Sequence, residues 1–320
     1  MKKYLQNQIA ESGYTLLVAS LYAVIVWLLA GLIDYGWWLQ LLLMAVSAYL
    51  MVELSNSNML IRVRSRMVTS TYLLLSCLPV AVFESLSGAF AALCFLMFVS
   101  LLFRTYQDKK ATGLVYYAFL FLGLCSMGFV QILCFLPLFW ILMGIRIQNL
   151  SWQTWKASVF GVLTPYWIVV PWLLFQRDFD RVADHFSPLA DLFSSVGTPC
   201  LSTVQVLNIC FVLILFLVGS VHFWYNSMEE KIRNRQFFGF FVDIVVVSLL
   251  LLFLQPSSYD PLLRIMILCA SPMVAHFFVL THTRASNVTF FVVLVLLVLL
   301  EVCNLNSSLL SSIQGLWSGL

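Results

Sequence analysis

Residues 111–145 read ATGLVYYAFLFLGLCSMGFVQILCFLPLFWILMGI, without one charged side chain. A membrane-spanning helix takes about 20 consecutive apolar residues. At 35 residues, this run is too long for one crossing and long enough for two. Its only turn signal is weak, at Ser126-Met-Gly128. Whether the run crosses once or twice decides the side on which every later loop emerges.

The basic residues settle that choice, because cytoplasmic loops are enriched in Lys and Arg. With two crossings and the N-terminus inside, only Arg177, Arg181 and Arg264 of the 17 basic residues fall outside. With one crossing, Arg146, Lys156, Lys231, Arg233, Arg235 and Arg284 all move to the outer face. The acidic residues lean outward in the two-crossing arrangement: Asp34, Glu84, Asp178, Asp180, Asp184, Asp191, Asp260 and Glu301. Aromatic residues mark the same edges, with Tyr35, Trp37 and Trp38 outside and Trp152, Trp155, Trp224 and Tyr225 inside.

The rest of the chain repeats the pattern. Residues 14–52 and 67–103 are also apolar blocks of hairpin length. They break at Gly31-Leu-Ile-Asp34-Tyr-Gly36 and at Glu84-Ser-Leu-Ser-Gly88. Gly and Ser supply turn geometry, and acidic residues prefer the water edge. Single spans follow at 157–175, 204–225, 237–254, 262–280 and 288–303, and then a polar tail. The expectation is one integral membrane domain over 1–320: an all-α polytopic bundle of eleven spans, N-in and C-out. Composition agrees, with 62% hydrophobic and 10% charged residues against about 25% charged in a soluble domain. No small-residue cleavage site follows the first apolar run, so it reads as a retained span rather than a signal peptide.

The longest outer segment, 176–203, carries Phe179, Val182, Phe186, Leu189, Leu192, Phe193 and Val196 at three- and four-residue steps. Charged residues lie between them. This spacing predicts an amphipathic helix, bent at Pro188, lying along the membrane surface. It reads either as a brace over the bundle or as a platform on which Arg177, Arg181 and His185 contact a phosphate headgroup.

Ionisable residues inside spans are costly and are candidates for function. Asp243 and His276 lie at matching offsets either side of a turn near Tyr259, which predicts that they pair at one depth. Arg264 stands four residues after Asp260, the spacing of an i, i+4 ion pair. Glu84 and Asp34 read as turn residues touching water, with Glu84 a further candidate for outer-face binding. The eight cysteines form no CxxC pair and no Cys/His cluster with metal-ligand spacing. GxGxxG, P-loop, HExxH and GxSxG patterns are absent. No metal or soluble cofactor is implied. Basic residues come in twos and threes rather than one patch, which argues against nucleic-acid binding. The expected partners are membrane lipids and other membrane proteins of the envelope.

Two stretches carry a resemblance. One runs from Asn58-Met-Leu-Ile-Arg-Val-Arg-Ser-Arg66 through Tyr72 to Pro79. The other runs from Arg146 through Trp155 to Gly161-Val-Leu-Thr-Pro165-Tyr166. Together they resemble a family of polytopic bacterial inner-membrane proteins, common in Bacteroidota, that has no established activity. The resemblance implies a bacterial inner membrane and no particular reaction. Three functions fit such a chain. It could be an accessory or scaffold in cell-envelope assembly. It could be a transferase or polymerase acting on a lipid-linked sugar at the outer face, with Asp34 as its one candidate acid. It could be a transporter, for which inverted repeats would be expected. The short loops and sparse intramembrane charge favour the scaffold.

The topology is directly testable. Reporter fusions at Gln148 and Asn226 read cytoplasmic and a fusion at Ser187 reads external; a cytoplasmic signal at Ser187 overturns the arrangement.

Overall fold

The computed structural model describes residues 4–63, 65–176, 179–190 and 201–318, with Leu174, Phe179, Ala190 and 307–318 described by backbone alone. Helix is the only regular secondary structure among the described residues, with no strand. In chain order the helices are α1 (Leu5–Glu11), α2 (Thr15–Leu29), α3 (Leu32–Tyr35), α4 (Trp38–Asn58), α5 (Met67–Cys77), α6 (Leu86–Arg104) and α7 (Thr112–Gly128). Then come α8 (Leu136–Leu142), α9 (Trp152–Phe175), α10 (Phe179–Ala190), α11 (Thr203–Tyr225), α12 (Ile232–Leu254), α13 (Tyr259–Leu280) and α14 (Arg284–Ser318). Among the described residues, seven helical stretches are long and apolar enough to cross a membrane, or eight if the bent pair α1 and α2 counts as one. This is the pattern of a multi-pass membrane protein.

The first and third apolar blocks break at or beside their turn residues, whereas the second breaks earlier than its Glu84–Gly88 signal, and Gly88 lies inside α6. Gly31 and Gly36 adopt the left-handed region, with φ of 98° and 69°, and isolate the single turn of α3 between α2 and α4. The second block breaks after Cys77. Pro79 has no N–H to continue the ladder, and a 3₁₀ turn at Val80–Val82 leads towards α6. The third block breaks at Phe129, where the backbone extends and a 3₁₀ segment, Val130–Phe135, leads into α8. The weakest turn signal in the sequence therefore coincides with a real interruption. α11 opens with a capping box, in which Ser202 and Gln205 satisfy each other's backbone N–H groups.

α14 differs from the expectation. The helix continues past Cys303 to Ser318 instead of giving way to a polar tail. The segment after Cys303 contains no proline, and Leu305, Leu309, Ile313 and Leu316 keep a helical spacing. Polar content alone does not end a helix that has no breaker.

The chain divides into two compact units. One comprises Met1–Leu86, Leu201–Glu229 and Ile267–Leu320; the other comprises Ser87–Cys200 and Glu230–Met266. In the first unit α2 packs on α5, and Trp27 stacks on Phe83 with ring centroids 4.1 Å apart. α1 turns by 91° against α2. Gln6 and Asn7 anchor it by donating to the Phe278 and Thr281 carbonyls at 2.5 and 2.9 Å.

The second unit has an aromatic core. Phe103 stacks on Phe237 at 4.0 Å, and Phe98 meets Phe139 at 4.6 Å and Phe119 edge-on at 5.3 Å. Its tightest helix pair is α7 with α9. A Cβ on Gly161 would stand 2.5 Å from the Tyr116 carbonyl oxygen, and one on Gly123 would stand 2.7 Å from that of Val162. Small residues let two backbones approach this closely in a membrane. Tyr116 and Thr164 hydroxyls then bond across the pair at 3.0 Å. The Gly161-to-Tyr166 element is thus the packing seam of α9.

Filling the seam is predicted to separate the pair. Gly161→Val lowers stability by about 1–3 kcal/mol, the usual range for overpacking, in thermal unfolding of detergent-solubilised protein. Gly113→Ala in the same α7 leaves it unchanged, because a Cβ there meets nothing within 4 Å.

Candidate functional site

The most developed polar site in the second unit forms around Arg146. The residues after α8 widen into a π-helical turn, Met143–Ile147, closed by Gln148 at φ 59°. Such turns are rare and often sit at functional positions. Arg146 projects from this turn to α12. Its Nε donates to Asp243 Oδ2 at 2.9 Å and its Nη2 to Oδ1 at 3.3 Å, a bidentate ion pair. Gly239, one helical turn before Asp243, makes the approach possible: a Cβ there would lie 2.6 Å from Arg146 Nη1. The guanidinium therefore lies against bare backbone on α12. About a quarter of each side chain remains exposed, 24% for Arg146 and 29% for Asp243.

Hydrogen bonds immobilise the loop behind Arg146. The Gln107 N–H donates to the Ile147 carbonyl at 2.9 Å. Asn149 Nδ2 donates to Thr105 Oγ1 at 2.6 Å, and Thr154 Oγ1 donates to the Asn149 carbonyl at 2.9 Å. Asn149 and Thr154 are fully buried. Arg146 is a loop cation in the sequence, and its partner stands 97 residues away, beyond any helical spacing.

The residues anticipated from sequence are distributed as follows. Asp243 belongs to the second unit, with Arg146 as a partner. His276 belongs to the first unit, fully buried, with its ring 5.6 Å from His222 and 5.1 Å from Phe223. Arg264 bonds Asp260 at 2.6 Å on α13, as the i, i+4 spacing predicts. Asp260 in turn lies against Gly88, where a Cβ would overlap its carboxylate. Glu84 is exposed in the turn before α6, and its carbonyl accepts from Gln40 Nε2 at 3.1 Å. Asp34 is exposed on the single turn of α3.

Helix α10 forms where the amphipathic spacing predicts one, and it runs through Pro188. Arg177 lies outside the described residues. Arg181 is exposed, whereas His185 turns towards α9, with Nε2 3.5 Å from the Tyr166 hydroxyl. Phe186 stacks on Tyr166 at 5.5 Å, and that hydroxyl also bonds Ser126 at 2.7 Å. Gln255 Nε2 donates to the Pro188 carbonyl at 3.3 Å. Burial pushes the His185 imidazole below its ordinary pKa of 6.5. A half-buried neutral ring suits docking on Tyr166 better than capture of a phosphate.

Glu301 is the residue whose setting sequence reading missed. It is 2% exposed, packed inside the first unit. The Tyr22 hydroxyl donates to its Oε2, while Oε1 has no hydrogen-bond partner among the described residues. One turn on, Asn304 exchanges reciprocal amide bonds with Asn208 on α11, each 3.0 Å. Glu301 and Asn304 are both buried on α14, and Asn304 lies one residue past the end expected for its span. Among the described residues, no group of three or more His, Cys, Asp or Glu side chains is arranged to hold a metal ion. No family model, curated protein or solved structure matches the chain.

Removing one partner of the Arg146–Asp243 pair strands the other charge. Asp243→Asn and Arg146→Met are each predicted to cost about 2 kcal/mol, less than the 3–5 of a fully buried pair because of the partial exposure. The double variant Arg146→Met/Asp243→Leu returns near wild-type stability in thermal unfolding. An equal loss in single and double variants contradicts this account.

Proposed function

We propose that this protein is a non-catalytic accessory or scaffold component of cell-envelope assembly, embedded in a bacterial inner membrane. The observation that carries this reading is the use of its polar side chains. In each unit they bind one another: Arg146 with Asp243, Arg264 with Asp260, Tyr22 with Glu301, Asn208 with Asn304. Interhelical polar contacts of this kind are commonly structural in membranes. A transferase acid would need a substrate cavity, and Asp34 sits exposed on one isolated helical turn.

The proposed topology has eleven crossings, N-in and C-out. Seven long helical stretches and the α1–α2 pair supply most of them. α5 with its 3₁₀ continuation, α7 and α9 would supply the others. α10 would lie in the outer interface as a brace, held by Tyr166 and Gln255. The inner-membrane location is supported by the asymmetry of basic residues and by the family resemblance. The proposed partners are membrane lipids and other envelope membrane proteins.

Crosslinking in living cells followed by purification is expected to recover the chain in a stoichiometric complex with another envelope membrane protein. Turnover of a polyprenyl-linked sugar by the purified chain alone in vesicles would replace the scaffold with the transferase.

A further inference from the structure

The first unit contains a cavity of about 430 Å³ between α2, α5 and α14. This lies within the size range of small-molecule sites. One face of each helix builds it. Thr15, Val18, Ala19 and Tyr22 line α2 at steps of three and four residues. Phe290, Leu294, Leu297 and Val298 line α14 in the same way, and Met67, Ser70 and Leu74 complete the wall from α5. These are core-type stripes, yet Val18 and Val298 remain 62% and 45% exposed. The three helices converge without closing on one another.

The cavity is graded along its length. At one end lie Ser12, Tyr14 and Thr15, at the 91° bend between α1 and α2. Tyr14 is 76% exposed there. At the other end Tyr22 is fixed by its hydrogen bond to buried Glu301. From Thr15 to Tyr22 the distance along α2 is roughly 10 Å at 1.5 Å per residue. That is about two-thirds of one leaflet, about 15 Å, in a hydrocarbon core of about 30 Å. Two basic residues flank the helices at the polar end: Arg66 adjoins Met67 of the cavity wall, and Arg284 opens α14. Clustered cations at a membrane surface attract anionic lipid headgroups.

We infer that the α2–α5–α14 cavity binds one acyl chain of an anionic phospholipid from the cytoplasmic leaflet. The headgroup lies at the α1–α2 bend beside the basic residues, and the chain runs inward to Tyr22. The site's depth assignment rests on the N-in orientation proposed above.

The test uses the full chain in vesicles of phosphatidylcholine. The probe is phosphatidylglycerol with a photoactivatable group near its acyl terminus, and the second probe is phosphatidylcholine with the same chain. Photolysis and peptide mapping are expected to place adducts on Val18, Ala19, Tyr22, Leu294, Leu297 and Val298, several-fold more with the anionic probe. Ala19→Phe and Val18→Trp fill the cavity and each reduce these adducts several-fold. Leu21→Trp, on the exposed side of α2 and outside the cavity wall, leaves them unchanged. Should Ala19→Phe not fold, Val18→Trp, at an exposed position, carries the test alone. Adducts that persist in the filled variants, or that spread equally over Leu17 and Leu21, overturn the site. Equal labelling by both probes overturns the anionic assignment. The reporter fusions test orientation separately, so either reading can fail without the other.

Discussion

A helix in hydrocarbon satisfies its own backbone but does nothing for a charged side chain, and the placement of polar groups in this protein follows from that asymmetry. Arg146 is admitted because α12 presents a carboxylate and, one turn earlier, a residue with no side chain. Asp260 meets Arg264 on its own helix, with bare backbone at Gly88 beside it. The interruptions obey the same constraint. Where α5 and α7 end, short 3₁₀ segments take over and keep N–H and C=O groups bonded locally.

The glycines do different work in different places. Between α7 and α9 they bring two backbones into contact, so that hydroxyls such as Tyr116 and Thr164 can bond across. In α12 the single Gly239 interrupts a run of phenylalanines, Phe237, Phe238, Phe240 and Phe241, all fully buried. A core built from such large rings leaves no room for a guanidinium except where a ring is missing. Gly239 and Asp243, four residues apart, thus share one side of α12, roughly opposite Phe237 and Phe241.

Much of the helical architecture was legible in the sequence because its signals are local. Gly31 and Gly36 and the Ser126–Gly128 turn each end a helix through the backbone of the residue itself or its neighbours, whereas the break at Pro79 lies ahead of the Glu84–Gly88 signal that was expected to make it. The Asp260–Arg264 pair was legible for the same reason, lying four residues apart. The Arg146–Asp243 pair was not, because periodicity along one helix carries no information about which distant helix stands opposite. The burial of Glu301 against Tyr22 was not legible for the same reason, its partner lying 279 residues away. The full length of α14 was not legible either, because the residues after Cys303 are polar enough to resemble a tail while keeping the spacing of a helix. The amphipathic spacing in 176–203 forecast a helix, which α10 supplies over Phe179–Ala190, but not that His185 would face Tyr166.

The π-helical turn at Met143–Ile147 gives the spacing between α8 and α9 a mechanical meaning. A π turn holds one residue more than an α turn would, and each residue of an α-helix rotates the chain by about 100°. Losing one residue here would thus act less as a shortening than as a twist, swinging the guanidinium off its glycine notch while leaving every apolar residue of the preceding helix in place. Sequence length in this short segment behaves as an angular setting, and an alignment gap of one position within it would signify a re-aimed side chain rather than a trimmed loop.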